Sequence, residues 1–432
     1  MGQIYLPITP TVQGCFLDDL KTNSIYRMLS YIEKNDPALC CGCGACEQIC
    51  AHKALHFEED KEGFSYPVLN KELCVDCGLC EKVCPMMNAG QVQNEKGNAY
   101  VAQNLNEEDL RTSSSGGGFI AIAKYVLDKG GTVYGAAYQD SPVVAHERVE
   151  RVEDLEKLKG SKYVQSDTCD VYNQVKRDLR DGRLVYFTGT PCQVAGLKLF
   201  LRKDYENLIT SDLICHGTPS PKIFQNMVKH MEENLNADFK DYSFRDKRVR
   251  GWSCSSSSSY KHRAKGNEIY VNYAKDMEAY FKAFISGHLM RMNCYHCPFA
   301  TTQRCGDITL ADFWGVRKQM PDFPNIHKGV SLFITNSAKG KELLETLKAQ
   351  FHIRPVSMDV AVSTNHNLKC PTPYSKERKT SYDLALNHYP EFVKKYYVGN
   401  YFTNNLKVQT EYFIRKHGWL FSIISDIKKL IK

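Results

Sequence analysis

Apolar and polar positions change rhythm several times along this chain. Residues 56–68 read as a short strand, a turn and a second short strand. From about residue 97 the texture becomes strand, turn and helix. Phe119, Ile120, Ile122, Val126 and Leu127 form a stripe at helical spacing, Gly130 and Gly131 stop it, and residues 132–137 follow as a strand. Residues 184–187 are a run of four apolar residues suited to a buried strand. Thr190 can then cap a helix whose first position is Pro191. Residues 208–215 repeat the pattern, leading through Gly217, Thr218 and Pro219 to Ser220 and Pro221 at a second helix start. Strands alternating with helices predict an α/β sheet, with ligands held beyond the strand ends. The serine-rich run 254–259 has the composition of a linker. Its flanking Trp252 and Tyr260, and the strand expected at 269–273, mark it instead as a polar hairpin strand.

Composition narrows the class. The chain has 432 residues, 43% hydrophobic and 24% charged, which is ordinary globular material for about three domains. A net charge of +7 over this length is too thin for a nucleic-acid binder. Most of that excess lies in residues 371–432, where 11 Lys and Arg face 5 Asp and Glu. The last stretch, 418–432, is an apolar stripe with a basic border. It suits either peripheral contact with an anionic membrane surface or a terminal helix packed on its own domain. The first residues lack the basic, apolar and small-residue pattern of a secretion signal, and no run of about 18 apolar residues occurs. The expectation is a cytoplasmic chain. Its 18 cysteines then point to metal rather than to disulfides.

Their spacing is specific. Cys40, Cys43, Cys46 and Cys50 follow C-x2-C-x2-C-x3-C, and Cys74, Cys77, Cys80 and Cys84 repeat it with Pro85 next. This is the ligand run of a two-cluster ferredoxin, in which the fourth cysteine of each run crosses to the other cluster. Cys40, Cys43, Cys46 and Cys84 are therefore assigned to one [4Fe–4S] cluster, and Cys74, Cys77, Cys80 and Cys50 to the other. A pair of zinc sites is the competing interpretation, disfavoured by four cysteines in each compact run. Gly42, Gly44 and Gly78 permit the tight turns. Cys41 falls outside the register and reads as a spectator.

Two further features carry chemistry. The Ser and Gly cluster at 113–118 opens an amphipathic helix, whose free N–H groups and dipole suit a phosphate. Cys192 falls at a helix N-terminus, where a thiol pKa is expected to drop. Cys294, Cys297 and Cys305 supply three more thiolates, with Cys215 the preferred fourth and Cys192 the alternate. A third [4Fe–4S] cluster is favoured over zinc, because an electron path already begins in the ferredoxin module.

Residues 114–117, 161–166, 187–193, 215–220, 244–247 and 307–315 together resemble the coenzyme F420 hydrogenase/dehydrogenase beta-subunit family, here behind a dicluster ferredoxin. The resemblance implies a flavoprotein, usually with FAD, and an iron–sulfur cluster close to the flavin. The expected fold class is α+β, a two-cluster ferredoxin-like module followed by an α/β flavin-binding oxidoreductase domain. The expected boundaries are 1–35 (N-terminal extension), 36–92 (ferredoxin), 93–350 (flavin domain) and 351–432 (basic C-terminal extension). Flavin phosphates are expected near Ser114, Ser115, Gly116 and Gly117. Ser161, Lys162, Tyr163, Gly189, Thr190, Gly217 and Thr218 are the further contacts. Asp307, Asp312 and Trp314 are candidates to close the site, and His216 is the candidate proton donor. Hydride would leave flavin N5 for a small-molecule acceptor, F420-like or otherwise, with electrons from an external donor such as a ferredoxin or a redox-enzyme subunit. The alternatives are an electron-transfer subunit of a hydrogenase or formate-dehydrogenase complex, and a redox accessory of polysaccharide biosynthesis.

Overall fold

The computed structural model describes residues 31–139 and 141–417. The basic stripe at 418–432 and most of the expected N-terminal extension lie outside the described residues. Among the described residues, no helix is long and apolar enough to cross a membrane.

The cysteine-rich module is small and doubled. Strands β1 (Leu55–Glu59) and β2 (Ser65–Leu69) pair antiparallel, with Leu55 opposite Leu69. A short helix carries the third cysteine of each run, Cys46 in Ala45–Ile49 and Cys80 in Leu79–Lys82. Both helices begin on a left-handed glycine, Gly44 at φ 74° and Gly78 at φ 67°, a conformation that other residues adopt at a cost.

The body is built on an eight-stranded sheet. Its strands are β3 (Asn98–Asn104), β4 (Thr132–Tyr138), β5 (Val144–Val149), β6 (Val185–Gly189), β7 (Leu208–Leu213), and, after a second sheet, β11 (Ile308–Asp312), β12 (Ser331–Thr335) and β13 (Phe351–Val356). The spatial order is β13-β3-β12-β11-β7-β6-β4-β5. The four strands β4, β6, β7 and β11 run parallel, and antiparallel strands close both sides. Both faces are covered, so each strand buries its two sides in different cores. Tyr134, Val185 and Phe187 pack with the helices Val171–Arg180 and Pro191–Leu201. Val133, Tyr186 and Ile209 pack with Gly118–Asp128 and Ala338–Leu347 on the opposite face.

A second sheet holds β8 (Ala237–Ser243), β9 (Ser257–His262) and β10 (Glu268–Val271), with β9 central. The serine run thus contributes a strand, as its aromatic flanks predict. Helices Pro221–Leu235 and Lys275–Ile285 share a core with Arg378–Asn387, Tyr389–Tyr396 and the ferredoxin residues Phe64 and Tyr66.

That core alters the expected division of the chain. The boundary at 350 falls immediately before β13, which pairs along β3 and forms the sheet edge. Arg378, 4% exposed, forks onto the Glu62 carboxylate at 2.8 and 2.6 Å and donates to the Met290 carbonyl. Val408, 0% exposed, packs with Val249 and Tyr273, and Glu411 pairs with Arg250, so residues up to about 411 belong to the packed body. Charge counts miss this because Lys379, Lys394 and Lys395 lie exposed on helices whose inner faces are buried, while Arg378 is itself buried against Glu62.

The ferredoxin module is seated on the body by directional bonds. Thr168 Oγ1 donates to the Cys43 carbonyl at 2.9 Å, the Gln48 side chain accepts from Tyr172 N at 2.9 Å, and Arg291 Nε donates to the Cys40 carbonyl at 2.8 Å. Gly196, inside the helix Pro191–Leu201, leaves room for this approach: a Cβ there would stand 3.0 Å from Cys43 Sγ.

Candidate functional site

Cys40, Cys43, Cys46 and Cys84 line one small cavity, which Cys41 and Cys80 also reach, closed by Tyr31, Leu39, Phe57 and Pro67. Cys84 comes from the second run and the other three from the first. Backbone amides aim at sulfur, as Gly42 N does at Cys40 Sγ, 3.4 Å away. Burial pushes the Cys46 thiol well up and that of Cys84 up to about 11. The remaining thiols lie nearer the surface, with Cys77 exposed and Cys50, Cys74 and Cys80 half-buried. Ala54 N donates to Cys50 Sγ at 3.3 Å and Asp76 N approaches Cys74 Sγ at 3.5 Å. Among the described residues, no three Cys, His, Asp or Glu converge closely enough to hold a single ion. Thiols that rim a void fit a four-iron cube better than a zinc ion.

A second cavity, of about 530 Å³, opens at the carboxyl ends of β6, β7 and β11. Parallel strands deliver their following loops to one edge, so residues distant in sequence meet there. Cys192, Cys215, Cys294 and Cys297 all line it; Cys215, Cys294, Cys297 and also Cys305 lie within electrostatic reach of Cys192. Cys305, expected among the ligands, is not in the lining. It is 1% exposed, and its N–H donates to Asp212 Oδ2 at 2.9 Å. The buried Arg304–Asp212 pair, at 3.2 Å, fastens that loop to the end of β7 and takes Cys305 into the core. The alternate, Cys192, stands in its place.

The pKa expected for Cys192 is also corrected. Its interaction with Cys41 and burial push its thiol well up, overriding the helix end. Cys41 is no spectator either. It lines both cavities, and its thiol bonds that of Cys192. Doubling of cysteine at 40–41 was the only signal for this in the sequence.

The polar end of the large cavity is the start of the helix Gly118–Asp128. Its N-cap, Gly117 at φ 83°, offers no side-chain bond, and Ser113, Ser114, Ser115, Gly117 and Gly118 face the cavity. The first-turn N–H groups are open to an anion. Gly116 is not part of that lining, because its N–H is spent on Ser331 Oγ at 2.8 Å. Ser114 Oγ accepts from Ser161 N at 2.9 Å, joining two of the expected contacts.

Ser161, Lys162, Tyr163, Gly189, Thr190, Gly217 and Thr218 all line the cavity. Lys162 Nζ donates to the carbonyls of Lys157 and Lys159 at 2.9 and 2.7 Å, and burial pushes its ammonium down to about 7. Thr218 Oγ1 lies 3.7 Å from Cys294 Sγ, at the thiol end. His216 also reaches the lining, but its ring is engaged. Nε2 bonds the Ile285 carbonyl at 3.0 Å, Nδ1 faces Thr372 Oγ1 at 3.3 Å, and burial lowers its pKa. With its proton spent on a carbonyl, the neutral imidazole fastens loops and has none to deliver.

Asp312 and Trp314 line the cavity, and Asp307 does not. Asp307 is an internal cap, accepting from Thr210 N at 2.8 Å and Ser337 Oγ at 2.7 Å. Asp312 binds Arg245, absent from the expected contacts, at 2.7 Å, and accepts from Trp252 Nε1 at 2.6 Å. Arg245 lies 4.9 Å over the Trp314 ring, which stacks on Trp252 with centroids 5.1 Å apart. His146 was likewise missed. It bonds Ser166 Oγ at 2.8 Å and the Thr188 carbonyl at 3.1 Å on the cavity wall.

His146 gives a pH prediction. Burial pushes its imidazole from 6.5 down to about 4. Between those values the unfolded chain takes a proton that the native ring refuses. Stability from this group is therefore full above about pH 6.5 and falls as pH drops, by about 2 kcal/mol at about pH 5. Denaturant unfolding at about pH 7 and about pH 5 should show a smaller acid loss in His146→Gln than in the unaltered protein. Equal losses would remove His146 as the cause.

Residues 182–359 match the family model for the C terminus of the coenzyme F420 hydrogenase/dehydrogenase beta subunit, and residues 39–88 match the 4Fe-4S dicluster domain. Among solved structures, one chain of the F420-reducing [NiFe] hydrogenase complex from Methanosarcina barkeri is 19% identical. The match covers 67% of this chain and 92% of that one, with a TM-score of 0.43. No curated protein matches.

Proposed function

For a chain that joins a 4Fe-4S dicluster domain to the C-terminal part of a coenzyme F420 hydrogenase/dehydrogenase beta subunit, we propose an iron–sulfur flavoprotein oxidoreductase that reduces a small organic acceptor. One observation carries this proposal. A single cavity of about 530 Å³, a size that suits a cofactor, is shared by the thiols of Cys192, Cys215, Cys294 and Cys297 and by the uncapped helix end at Gly117. Bound in this chain, clusters relay single electrons and a flavin such as FAD pairs them for transfer as hydride to an F420-like or other two-electron acceptor.

The chain's own residues supply the rest. Open N–H groups at Gly117 and Gly118, with the helix dipole behind them, receive phosphates. Arg245, neutralised by Asp312, holds Trp314 as a flat wall. Cys41, next to Cys40 in the chain, lines both cavities and its thiol interacts with that of Cys192, so the ferredoxin quartet adjoins the cavity quartet. Exposed Cys77 marks the end at which an external one-electron donor, a ferredoxin or a partner redox enzyme, approaches.

Anaerobic purification followed by iron, sulfide and flavin assays tests the proposal. About twelve irons and one flavin per chain are expected from three four-iron clusters. About eight irons with one zinc would overturn the third cluster, and absence of flavin would overturn the oxidoreductase.

A further inference from the structure

The structure has four arginines at 5% exposure or less at the side chain or residue level that lie near its redox and packing centres, and one of them is unlike the rest. Arg245 is paired with Asp312, Arg304 with Asp212 and Arg378 with Glu62. Arg291 is completely buried, at 0% exposure, and among the described residues it has no carboxylate partner. Its Nε donates to the Cys40 carbonyl at 2.8 Å, Nη1 to Gln165 Oε1 at 3.1 Å, and Nη2 to the Ser65 carbonyl at 2.9 Å. Nη2 also points at Cys40 Sγ, 3.5 Å away. The guanidinium lies 4.0 Å over the Tyr66 ring and 5.2 Å over Phe64.

A guanidinium keeps its charge in any protein interior, and a buried cation without an anion is costly. Carbonyls and ring faces solvate it but carry no net charge. Cys40, a thiolate once it ligates a cluster, is the one group able to carry negative charge that its hydrogen bonds reach, and it shares a cavity with Cys43, Cys46 and Cys84. The counter-charge therefore resides on that quartet.

The other quartet is placed differently. Cys77 is exposed, and Cys74 Sγ lies 3.6 Å from the Asp76 carboxylate. Among the described residues, no basic side chain donates to Cys50, Cys74, Cys77 or Cys80; the donors found there are backbone amides, among them those of Ala54, Asp76 and Glu81.

We infer that Arg291 makes the Cys40/Cys43/Cys46/Cys84 site the higher-potential cluster of the pair, so that an electron entering at the exposed site comes to rest beside Cys40. The inference rests on the proposal above that both sites hold [4Fe–4S] clusters. The physical grounds are net charge and N–H···S bonding, both of which raise a cluster's reduction potential. A fixed cation lowers the energy of the reduced, more negative form more than that of the oxidised form.

The balance is simple. A low-potential one-electron reductant from outside gives one electron to the exposed site. That site is reoxidised as the electron passes to the Cys40 site, which is reduced; no bond breaks and no proton moves. Arg291 also fixes where the electron goes next. Its backbone N–H binds the Thr218 carbonyl, and its carbonyl accepts from Cys294 N, each at 3.0 Å. One residue thus joins the wall of the first quartet to the loop that carries the second cavity's thiols.

The test is an EPR-monitored redox titration of the full chain, prepared anaerobically, with iron and sulfide measured first. Lack of iron in the unaltered protein would sink the cluster assignment itself, which separates that failure from failure of the inference. Cys77→Ser marks the exposed cluster by changing its line shape. Of the two ferredoxin clusters, the unmarked one should be reduced first in the protein with Arg291 intact. In iron-replete Arg291→Gln, the equilibrium between the two should move about tenfold or more toward the exposed cluster, about 59 mV for a one-electron couple. Arg291→Lys, which keeps the charge but not the fork, should move it less. Should the glutamine variant lose iron, the order of reduction in the arginine-bearing protein still decides. Reduction of the marked cluster first, or an unmoved equilibrium in a fully loaded glutamine variant, overturns the inference.

Discussion

Cys294→Ala protein purified without oxygen is expected to carry about eight irons per chain in place of about twelve, with the ferredoxin spectrum intact. Cys294 lines the large cavity with Cys192, Cys215 and Cys297, and under the proposed assignment removing one of these four thiolates would release the third cluster. The same experiment on two further variants distinguishes the geometry from spacing alone. Cys192→Ala should lose the same four or so irons, whereas Cys305→Ala should keep them all. Cys305 is 1% exposed, bonded through its amide to Asp212 and absent from the lining. Retention of iron by Cys192→Ala with loss in Cys305→Ala would restore the ligand set that the sequence suggests. Reduction of bound flavin by an external one-electron donor should fail in Cys294→Ala and Cys192→Ala, because the step between ferredoxin and flavin is gone.

Replacing Arg245 with methionine should destabilise the fold by about 3 kcal/mol, because it leaves the Asp312 carboxylate charged at a largely buried site. The value lies at the low end for a broken buried pair, since Asp312 keeps its 2.6 Å bond from Trp252. Denaturant unfolding gives the number. Arg245→Met/Asp312→Leu should recover much of it, since an apolar pair leaves no orphaned charge. The flavin should be lost in both variants, because Trp314 no longer has the cation 4.9 Å over its ring to hold it in place. A single variant as stable as the unaltered protein would show that the pair is not coupled as its geometry indicates.

The local units of this fold were largely legible. The stripe from Phe119 to Leu127 became the helix Gly118–Asp128, and 184–187 became most of β6. Thr190 and Pro191 begin the next helix, with Gln193 Oε1 accepting from Thr190 N at 3.0 Å. Each of these depends on residues within one turn or one strand of each other, so spacing carries the information. The division at residue 350 was not legible, because β13 is a strand only by pairing with β3, some 250 residues earlier in the chain. Charge counted along the C-terminal segment said nothing of Arg378, whose partner is Glu62.

The site divides along the same line. Serines, glycines and the Gly-Thr-Pro turns mark the cavity because helix starts are local features. Which atoms remain available was decided elsewhere: Ser331 takes the N–H of Gly116, and Ile285 takes the proton of His216. The sequence by itself determined the 4Fe-4S dicluster character, through the spacing of its cysteines, and the α/β body, since periodic spacing and turn chemistry are short-range constraints. Tertiary structure alone decided that Cys192 replaces Cys305 at the cavity, that Cys41 touches Cys192, and that a buried Arg291 faces Cys40 without a carboxylate. Those are contacts between loops at the ends of neighbouring strands. Their energies come from burial and charge in a shared interior, which exists only after the sheet has brought the loops together.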